Sequence, residues 1–475
     1  MSDNELCYIS ATEALRRFAD GSLSPVELLD ALVARADEVE PRINAWSGRR
    51  LEQGYASART AQERWAAGTA RALEGLPVAF KEEQPIEGEP WQMGSLVYEH
   101  QIAEVSHPLY GRVLDAGGVI HARTTTPEFS CAAFTHSKLW GITPNPWNTA
   151  YGSGGSSGGA GAALASGTTT LATGSDIGGS IRIPASFNGV VGFKPPYGRV
   201  PTLPPFHLDQ YIHDGPMGRT VADVALLQNV LAGAHAMDHV SMRDAPHIPL
   251  EHEPISGMRI AFARTLGDFP IDDDVAENTA RFADVLRAAG ATVIDVEVQI
   301  DLESTMKTAM IHYGALFGAW IKTIIDDNPG RLTGYAEQFG RRATEAAAEH
   351  GLYVSIEGDA AVQAVIAEAM QDFDALVCPT LGSRGFDAGD DHVARTLRVG
   401  DRDFPDYFAG MQTFPFNIAS RHPVLAVPSG LASNGVPTGV QIVGHTYDDA
   451  TPFRIGAAAE REVGWWNDPT WRPGC

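Results

Sequence analysis

The sequence has little cysteine. Only four cysteines occur in 475 residues, at positions 7, 131, 378 and 475. No two of them form a C-x-x-C pair, which disfavours a zinc site or a dithiol redox centre. Four thiols in so long a chain are also too few for a disulfide framework, so a reducing compartment fits the composition best.

Positive charge and long apolar runs are scarce as well. The chain has 35 lysines and arginines against 59 aspartates and glutamates, a formal net charge of −24. An acidic surface of this size repels phosphate backbones and anionic lipids, so we expect neither a nucleic-acid nor a membrane partner. No run of about 18 apolar residues occurs, and the first turns of the chain lack the apolar stretch of a signal peptide. The sequence therefore predicts a soluble, cytoplasmic protein.

Strand and helix patterns alternate along the chain. Hydrophobic residues make up 44% of it, as in an ordinary globular protein. Short apolar runs predict strands, and apolar residues at helical spacing predict helices. The predicted strands cover residues 76–80, 119–122, 294–298, 376–377 and 424–427, and the predicted helices cover 220–231 and 275–286. This alternation favours an α/β layer architecture, and the amphipathic helices over residues 1–70 are expected to pack on the remainder of the chain.

Glycine, by contrast, is abundant, and its distribution is uneven. Ten of the 49 glycines lie within residues 151–180, where Asp176 is the sole charged residue. Gly/Ser runs are often flexible linkers. Residues 160–165 nevertheless predict a helix and residues 168–173 predict a buried strand. The glycines are therefore better explained by backbone that must come close to a ligand.

Two serines of this window are candidate nucleophiles in the run GGSSGG at 154–159. The run matches G-x-S-x-G around Ser156 and around Ser157, the pattern of the α/β-hydrolase nucleophile elbow. That elbow follows a strand, whereas two prolines precede this run, so the elbow interpretation is disfavoured. A phosphate-binding loop also fails, because no Gly-Lys-Ser/Thr follows the glycines.

A third candidate, Ser180, lies in the run GSDIGGSIRIP at 174–184. The glycines before it let backbone N–H groups converge as in an oxyanion hole, and a helix after it would add positive potential. A serine nucleophile needs a base, and the window has neither His nor Lys. Lys81 ends the apolar run 76–80, where loss of hydration favours the neutral amine. The alternatives are a solvent-exposed lysine and serines in ordinary turns.

Together, Lys81 and the runs 154–159 and 174–184 resemble the amidase signature family. Ser156 and Ser180 have the family's spacing, 24 residues apart. Further motifs of the family occur at 145–147, 190–195, 215–220, 378–380 and 439–444. The resemblance implies a single large α/β/α domain with a central mixed twisted sheet covered by helices. Residues 71–475 would form the catalytic domain, and residues 1–70 a helical N-terminal layer on the same structural unit.

The resemblance also implies a Ser–cis-Ser–Lys triad. Ser180 would be the nucleophile. Ser156, in a cis peptide with Gly155, would relay its proton to a neutral Lys81. The oxyanion hole would consist of four backbone N–H groups, those of Ile177, Gly178, Gly179 and Ser180.

Other matching positions have supporting roles. Gly155, Ser157, Asp176 and Arg182 match family positions that hold the loops of the site. Ser130 matches a position near the substrate. The fifteen histidines are interpreted as surface or core residues, so no metal site and no cofactor are expected.

The chain departs from the family pattern after the lysine, where Glu82 and Glu83 follow. A carboxylate that faced Lys81 would favour its protonated form. Neighbouring residues on a strand point to opposite faces, so Glu82 need not face it. Residues 151–153 (YGS) also differ from the usual sequence before GGSSGG, which bears on substrate entry.

These observations predict an amidase that hydrolyses the C–N bond of a small, largely apolar amide. Anilides and carbamates, hence aryl acylamidase or urethanase activity, are plausible extensions. The enzyme is expected as a monomer or homodimer. One alternative is a glutamine-handling amidotransferase subunit that acts with partner subunits. The other is a non-catalytic member of the same fold.

Overall fold

A mixed sheet of eleven strands forms the centre of the structure, a computed structural model that describes residues 3–393, 395–466 and 468–475. The helices of these residues are α1 (Asp3–Leu6), α2 (Ala11–Asp20), α3 (Pro25–Ile43), α4 (Leu51–Ala66), α5 (Pro108–Asp115), α6 (Gly158–Ala165), α7 (Arg182–Asn188), α8 (Val221–Leu231), α9 (Asp273–Ala288), α10 (Leu302–Ala315), α11 (Phe317–Asp327), α12 (Gly334–His350), α13 (Leu352–Met370), α14 (Pro415–Ile418) and α15 (Ala450–Val463). The strands are β1 (Trp46–Arg49), β2 (Pro77–Lys81), β3 (Val119–Thr124), β4 (His136–Ser137), β5 (Gly141–Ile142), β6 (Leu171–Asp176), β7 (Val191–Lys194), β8 (His213–Gly218), β9 (Arg259–Phe262), β10 (Thr292–Asp295), β11 (Ala375–Pro379), β12 (Leu397–Val399), β13 (Arg402–Phe404), β14 (Val424–Leu431) and β15 (Pro437–Gly444).

The order of strands across the sheet is β1-β3-β2-β6-β8-β7-β14-β15-β11-β9-β10. Strand β2 is parallel to β3 and to β6, whereas β6, β8, β7, β14, β15 and β11 follow one another antiparallel. At the far edge, β11, β9 and β10 are parallel again. Together with the helices packed against it, this arrangement confirms the predicted α/β domain with a central mixed sheet.

The position of β2 in the sheet explains why the strand is apolar up to its last residue. All five of its residues are buried, because it lies between β3 and β6 in the parallel part of the sheet. Parallel strands with covered faces have continuous rather than alternating apolar sequences. Its last residue, Lys81, is consequently fully buried as well, which excludes the alternative of a solvent-exposed lysine.

Every predicted strand has a counterpart in the sheet, with bounds that differ by up to four residues, and two of these counterparts lack three of the predicted residues. The strand expected at 168–173 is β6, which begins only at Leu171, because its pairing with β8 stops where β8 ends, at Gly218. The strand expected at 294–298 is β10, which runs from Thr292 to Asp295, because its partner β9 has four residues and pairing stops where β9 ends. The helices expected at 160–165, 220–231 and 275–286 correspond to α6, α8 and α9.

The first seventy residues are not wholly helical. They contain α1 to α4, as expected, and also β1, which pairs antiparallel with β3 at the edge of the sheet. The sequence pattern missed this strand because it is short and follows directly on a helix. The segment therefore contributes to the central sheet, and a division at residue 70 remains a prediction.

The described ranges contain neither a membrane-spanning helix nor a cluster of metal-ligating side chains. No helix there combines the length and apolarity that a membrane span requires. Nor do three or more His, Cys, Asp or Glu side chains in those ranges come together in an arrangement that could hold a metal ion.

Candidate active site

Lys81, Ser156 and Ser180 lie on three separate elements that meet at one site. Lys81 Nζ contacts Ser156 Oγ, and Ser157 N donates to Ser180 O at 3.1 Å. Among the described residues, no hydrogen bond joins the hydroxyls of Ser156 and Ser180. Lys81 is the last residue of β2, Ser156 lies just before α6, and Ser180 lies just before α7. All three side chains are buried. The helix expected to begin after Ser180 is α7, which starts at Arg182.

The Lys81 amine has three polar neighbours at hydrogen-bond distance. Its Nζ is 2.7 Å from Ser156 Oγ and 2.7 Å from Ser175 Oγ. Its third neighbour is Glu83 Oε2, also at 2.7 Å. The predicted lysine–serine contact is thus present, and a carboxylate lies beside it.

The glycine-rich run around Ser156 is tightly packed. The Gly155–Ser156 peptide is cis. A Cβ at Gly155 would lie 2.6 to 2.7 Å from backbone atoms of Ala132 and Phe134, distances that no real side chain tolerates. Glycine is therefore required there by the close approach of a neighbouring chain segment, which excludes a flexible linker.

The loop before Ser180 has its own steric requirement. Gly179 has a φ of +129°, and a Cβ there would lie 2.2 Å from Thr413 Oγ1. The Gly179 amide donates to Asp176 Oδ1 at 2.8 Å. Among the hydrogen bonds of the described residues, none uses the amides of the other three expected oxyanion-hole residues, Ile177, Gly178 and Ser180.

Asp176 and Arg182 form a fully buried ion pair beneath this loop. Arg182 Nη2 is 2.9 Å from Asp176 Oδ1, and Arg182 Nε is 3.0 Å from Asp176 Oδ2. Asn417 Nδ2 also donates to Asp176 Oδ1, at 2.8 Å. Burial works against ionisation, but the Arg182 guanidinium and these hydrogen bonds hold the pKa of Asp176 well below its usual range. The pair connects the Ser180 loop to distant parts of the chain.

Three further residues complete the loop: Ser157, which the sequence singled out, and Tyr313 and Thr413, which no motif marks. Ser157, which was expected to be structural, accepts from Ser175 N at 3.3 Å. Tyr313 Oη donates to Ile177 O at 2.9 Å, and Thr413 Oγ1 donates to Gly178 O at 2.5 Å. These two bonds fix the carbonyls of the loop and so orient its amides. No local sequence signal marks Tyr313 or Thr413, since each lies more than 130 residues from its partner.

A small pocket borders Ser180. Its wall includes apolar and aromatic side chains, namely Ile177, Ile183, Tyr313, Phe317, Phe339, Tyr407, Phe408 and Met411. Ser130 is part of the same wall, as its sequence position suggested. Its backbone is left-handed, with φ of +57°, and its hydroxyl donates to Glu83 Oε2 at 2.5 Å. The pocket suits an apolar group bound next to the serine.

The two glutamates after Lys81 have different surroundings. Glu82 is turned away from Lys81: its two carboxyl oxygens accept from the amides of Gln92 and Met93, at 2.6 and 2.9 Å. Burial raises the pKa of Glu82 to about 7, although Arg123 and the two amides favour the carboxylate. Glu82 therefore does not contact Lys81, the possibility that the sequence had left open.

This perturbed carboxyl gives a testable pH dependence of stability. Between about pH 4.5 and pH 7 the folded chain retains a proton on Glu82 that the unfolded chain releases. The folded state therefore binds more protons, and its stability falls as pH rises through that window. We expect Glu82→Gln, which cannot titrate, to gain about 2 kcal/mol relative to the parent between pH 5 and pH 8.

The measurement is urea unfolding of both proteins across that pH range. Glu87→Gln, the same change at an exposed position, is the matched control and should follow the parent curve. A constant offset between Glu82→Gln and the parent at every pH would contradict the assignment of this titration to Glu82.

The chain is similar to known proteins along nearly its whole length. The amidase family matches residues 27–452 of the chain. One subunit of the glutamyl-tRNA(Gln) amidotransferase of Chloroflexus aggregans is 32% identical over 491 residues, covering 97% of this chain and 98% of that protein. An acylamidase of Rhodococcus erythropolis is 30% identical over 470 residues, covering 98% of each. The crystal structure of a bacterial aryl acylamidase of the amidase signature family superposes with a TM-score of 0.89 and 24% identity, covering 98% of this chain and 99% of that one.

Proposed function

The chain belongs to the amidase family, and we propose that it cleaves the C–N bond of a small, largely apolar amide through an acyl-enzyme on Ser180. The observation that carries the proposal is the buried contact of 2.7 Å between Lys81 Nζ and Ser156 Oγ, next to a pocket whose wall includes Ser180. A hydroxyl within reach of an amine, beside a nucleophile in an apolar pocket, is the arrangement that acyl transfer requires.

In the acylation step, Ser180 Oγ attacks the carbonyl carbon of the amide. Its proton passes to Ser156 Oγ as the proton of Ser156 passes to Lys81 Nζ, which becomes an ammonium. The C–N bond then breaks, and the proton returns through Ser156 to the leaving nitrogen. Water repeats the sequence on the acyl-enzyme and releases the acid.

The negative charge on the carbonyl oxygen needs backbone donors. The amides of Ile177, Gly178 and Ser180 are the ones we assign to it, while the Gly179 amide already donates to Asp176. The carbonyl bonds from Tyr313 and Thr413 keep the peptide units of this loop oriented. Gly179 therefore contributes the shape of the loop rather than a free donor.

The pocket favours an apolar acyl group. Its side chains are apolar, hydroxyl or thiol groups, and each buried methylene contributes about 0.8 kcal/mol. We therefore expect kcat/KM to rise several-fold when acetyl is replaced by a longer or aryl acyl group. The test is a panel of aliphatic amides, anilides and carbamates assayed with the purified chain, with Ser180→Ala as the blank. Turnover confined to charged or strongly polar acyl groups would contradict the assignment.

The amidotransferase subunit is the second candidate, supported by the identity of 32% with the Chloroflexus protein along nearly the whole chain. Such a subunit would release ammonia from glutamine and act with partner subunits. The apolar wall of the pocket fits zwitterionic glutamine less well than an apolar acyl group. Hydrolysis of anilides by the chain alone, with no glutaminase activity, would decide against this candidate.

The non-catalytic alternative is tested by labelling. A fluorophosphonate reacts with an activated serine, so labelling of the parent and not of Ser180→Ala excludes a purely binding or scaffold role. Cytoplasmic localisation and a monomeric or homodimeric state remain predictions. Size-exclusion chromatography with light scattering tests the second of them.

A further inference from the structure

Beyond the triad, the Lys81 amine contacts a carboxylate that the family pattern did not assign a role. Glu83 Oε2 lies 2.7 Å from Lys81 Nζ and also accepts from Ser175 Oγ at 2.9 Å and from Ser130 Oγ at 2.5 Å. We propose that Glu83 is the positioning residue for Lys81: its carboxylate holds the amine against Ser156 and stabilises the ammonium that forms when Lys81 receives the nucleophile's proton. The inference rests on the proposed function.

The hydrogen bonds around Lys81 can be satisfied in both of its protonation states. As a neutral amine, Lys81 has two donors, for Ser175 Oγ and Glu83 Oε2, and one lone pair, for the Ser156 hydroxyl. As an ammonium it has three donors for the same three oxygens. The proton can therefore arrive without any heavy atom moving, and Glu83 supplies the acceptor that the charged form needs.

The backbone of this turn is fixed from outside. Arg123 Nη2 donates to the carbonyls of Glu82 and Gln84, at 2.9 and 2.6 Å. Trp91 Nε1 donates to the Glu83 carbonyl at 2.8 Å. Strand β2 ends at Lys81, and Glu83 lies in the turn that follows, where Gln84 N donates to Lys81 O at 3.1 Å. This turn brings the Glu83 side chain back to Lys81. The Glu83 carboxylate is thus directed to Lys81 by a rigid turn.

Other charged groups surround the pair, and each has its own partners. They are Glu82, Arg123, Asp176 and Asp214. Glu82 accepts from two backbone amides, and Arg123 faces Glu89 at 3.6 Å. Asp176 is paired with Arg182.

Asp214, on β8, accepts from Gln84 Nε2 at 2.6 Å and lies 3.4 Å from His107. Among the carboxylates of the described residues, Glu83 is the one that forms an ion pair with Lys81. The Glu83 carboxylate therefore interacts with the Lys81 amine directly, whereas the other charged groups are paired with residues other than Lys81.

This contact has a defined consequence for the pH profile. A carboxylate beside an amine favours the ammonium, and the base works only when it is neutral at the start of the cycle. Removing the negative charge of Glu83 should therefore move the acid limb of the kcat/KM profile to lower pH. It should also lower the plateau, because the ammonium that forms during acylation loses its counter-charge.

The experiment is the pH profile of kcat/KM for Glu83→Gln, with the rate of fluorophosphonate labelling at each pH as a second measure that does not depend on substrate binding. We expect the acid limb to move down by about one pH unit or more and the plateau to fall about tenfold. Glu87→Gln, the same change at an exposed position, should match the parent. An unchanged limb in Glu83→Gln, or an equal shift in Glu82→Gln, would overturn the proposal.

A second variant covers the case in which Glu83→Gln does not fold. Ser130→Ala removes one donor from Glu83 Oε2, which leaves more of the negative charge to Lys81. Its acid limb should therefore move in the opposite direction, to higher pH, and an unchanged limb would again overturn the proposal. The outcome is separable from the proposed function. If Ser180→Ala abolishes labelling while the acid limbs of Glu83→Gln and Ser130→Ala both match that of the parent, only the role of Glu83 is refuted.

Discussion

Replacing Ser180 or Lys81 by alanine is expected to reduce kcat/KM by about 10⁴-fold or more. Ser180→Ala removes the atom that forms the acyl bond. Lys81→Ala removes the amine that lies 2.7 Å from Ser156 Oγ, so the proton of the nucleophile has no acceptor. Because the residues act as a unit, the double variant should be little slower than either single variant. Steady-state assays on the best substrate of the panel measure all three.

The controls separate chemistry from folding. Ser256→Ala and Lys307→Ala make the same two changes at exposed positions and should retain the parent activity. Lys81→Ala leaves the partly exposed Glu83 carboxylate without its amine partner and leaves a space in the fully buried site of Lys81, so the thermal unfolding of this variant must be compared with that of the parent. Ser180→Ala is the cleaner test, because its hydroxyl forms no hydrogen bond within the described residues. Substantial turnover in a folded Ser180→Ala variant would refute the acyl-enzyme.

The sequence singled out Lys81, Ser156 and Ser180 by their local context, and the resemblance to the amidase signature family gave them their predicted roles. The structure brings Lys81 and Ser156 into contact, while the catalytic roles remain predictions. An apolar strand ends at Lys81, and glycine runs enclose the two serines. The steric contacts at Gly155 and Gly179 now explain why those runs cannot contain side chains. The alternation of strand and helix likewise led to the α/β sheet, since the buried strands have continuous apolar sequences.

The contacts that cross the fold could not be predicted in the same way. Thr413 and Tyr313 reach the Ser180 loop from elements more than 130 residues away, and their sequence surroundings have no motif. Glu83 lies beyond the end of β2, where strand alternation no longer applies, and the turn held by Arg123 and Trp91 brings its carboxylate to 2.7 Å from Lys81. Side-chain convergence of this kind depends on tertiary packing rather than on local pattern.

Breaking the buried pair Asp176–Arg182 is expected to have the largest effect on stability. Arg182→Met would leave the Asp176 carboxylate without its guanidinium at a site with no solvent exposure. An uncompensated buried charge costs about 3 to 5 kcal/mol, since desolvation is no longer offset. Arg182 also donates to Thr413 O and Gln441 Oε1, at 2.9 and 2.8 Å, so its loss would loosen the Ser180 loop as well.

Urea unfolding and activity, measured on the same preparations, test this expectation. Arg264→Met is the matched control, because the ion pair of Arg264 with Asp295 is largely exposed and should contribute less than about 1 kcal/mol. Asp176→Asn should also lose about 3 to 5 kcal/mol, because it leaves the Arg182 guanidinium as the unpaired charge at a site with no solvent exposure. The pKa of Asp176 is lower in the folded chain than in the unfolded chain. The contribution of the ion pair to the free energy of unfolding should therefore be complete above about pH 4 and should decline as the pH falls below that. Equal midpoints for Arg182→Met and Arg264→Met would show that the pair does not hold the loop, and the orientation of the Ile177, Gly178 and Ser180 amides would then need another cause.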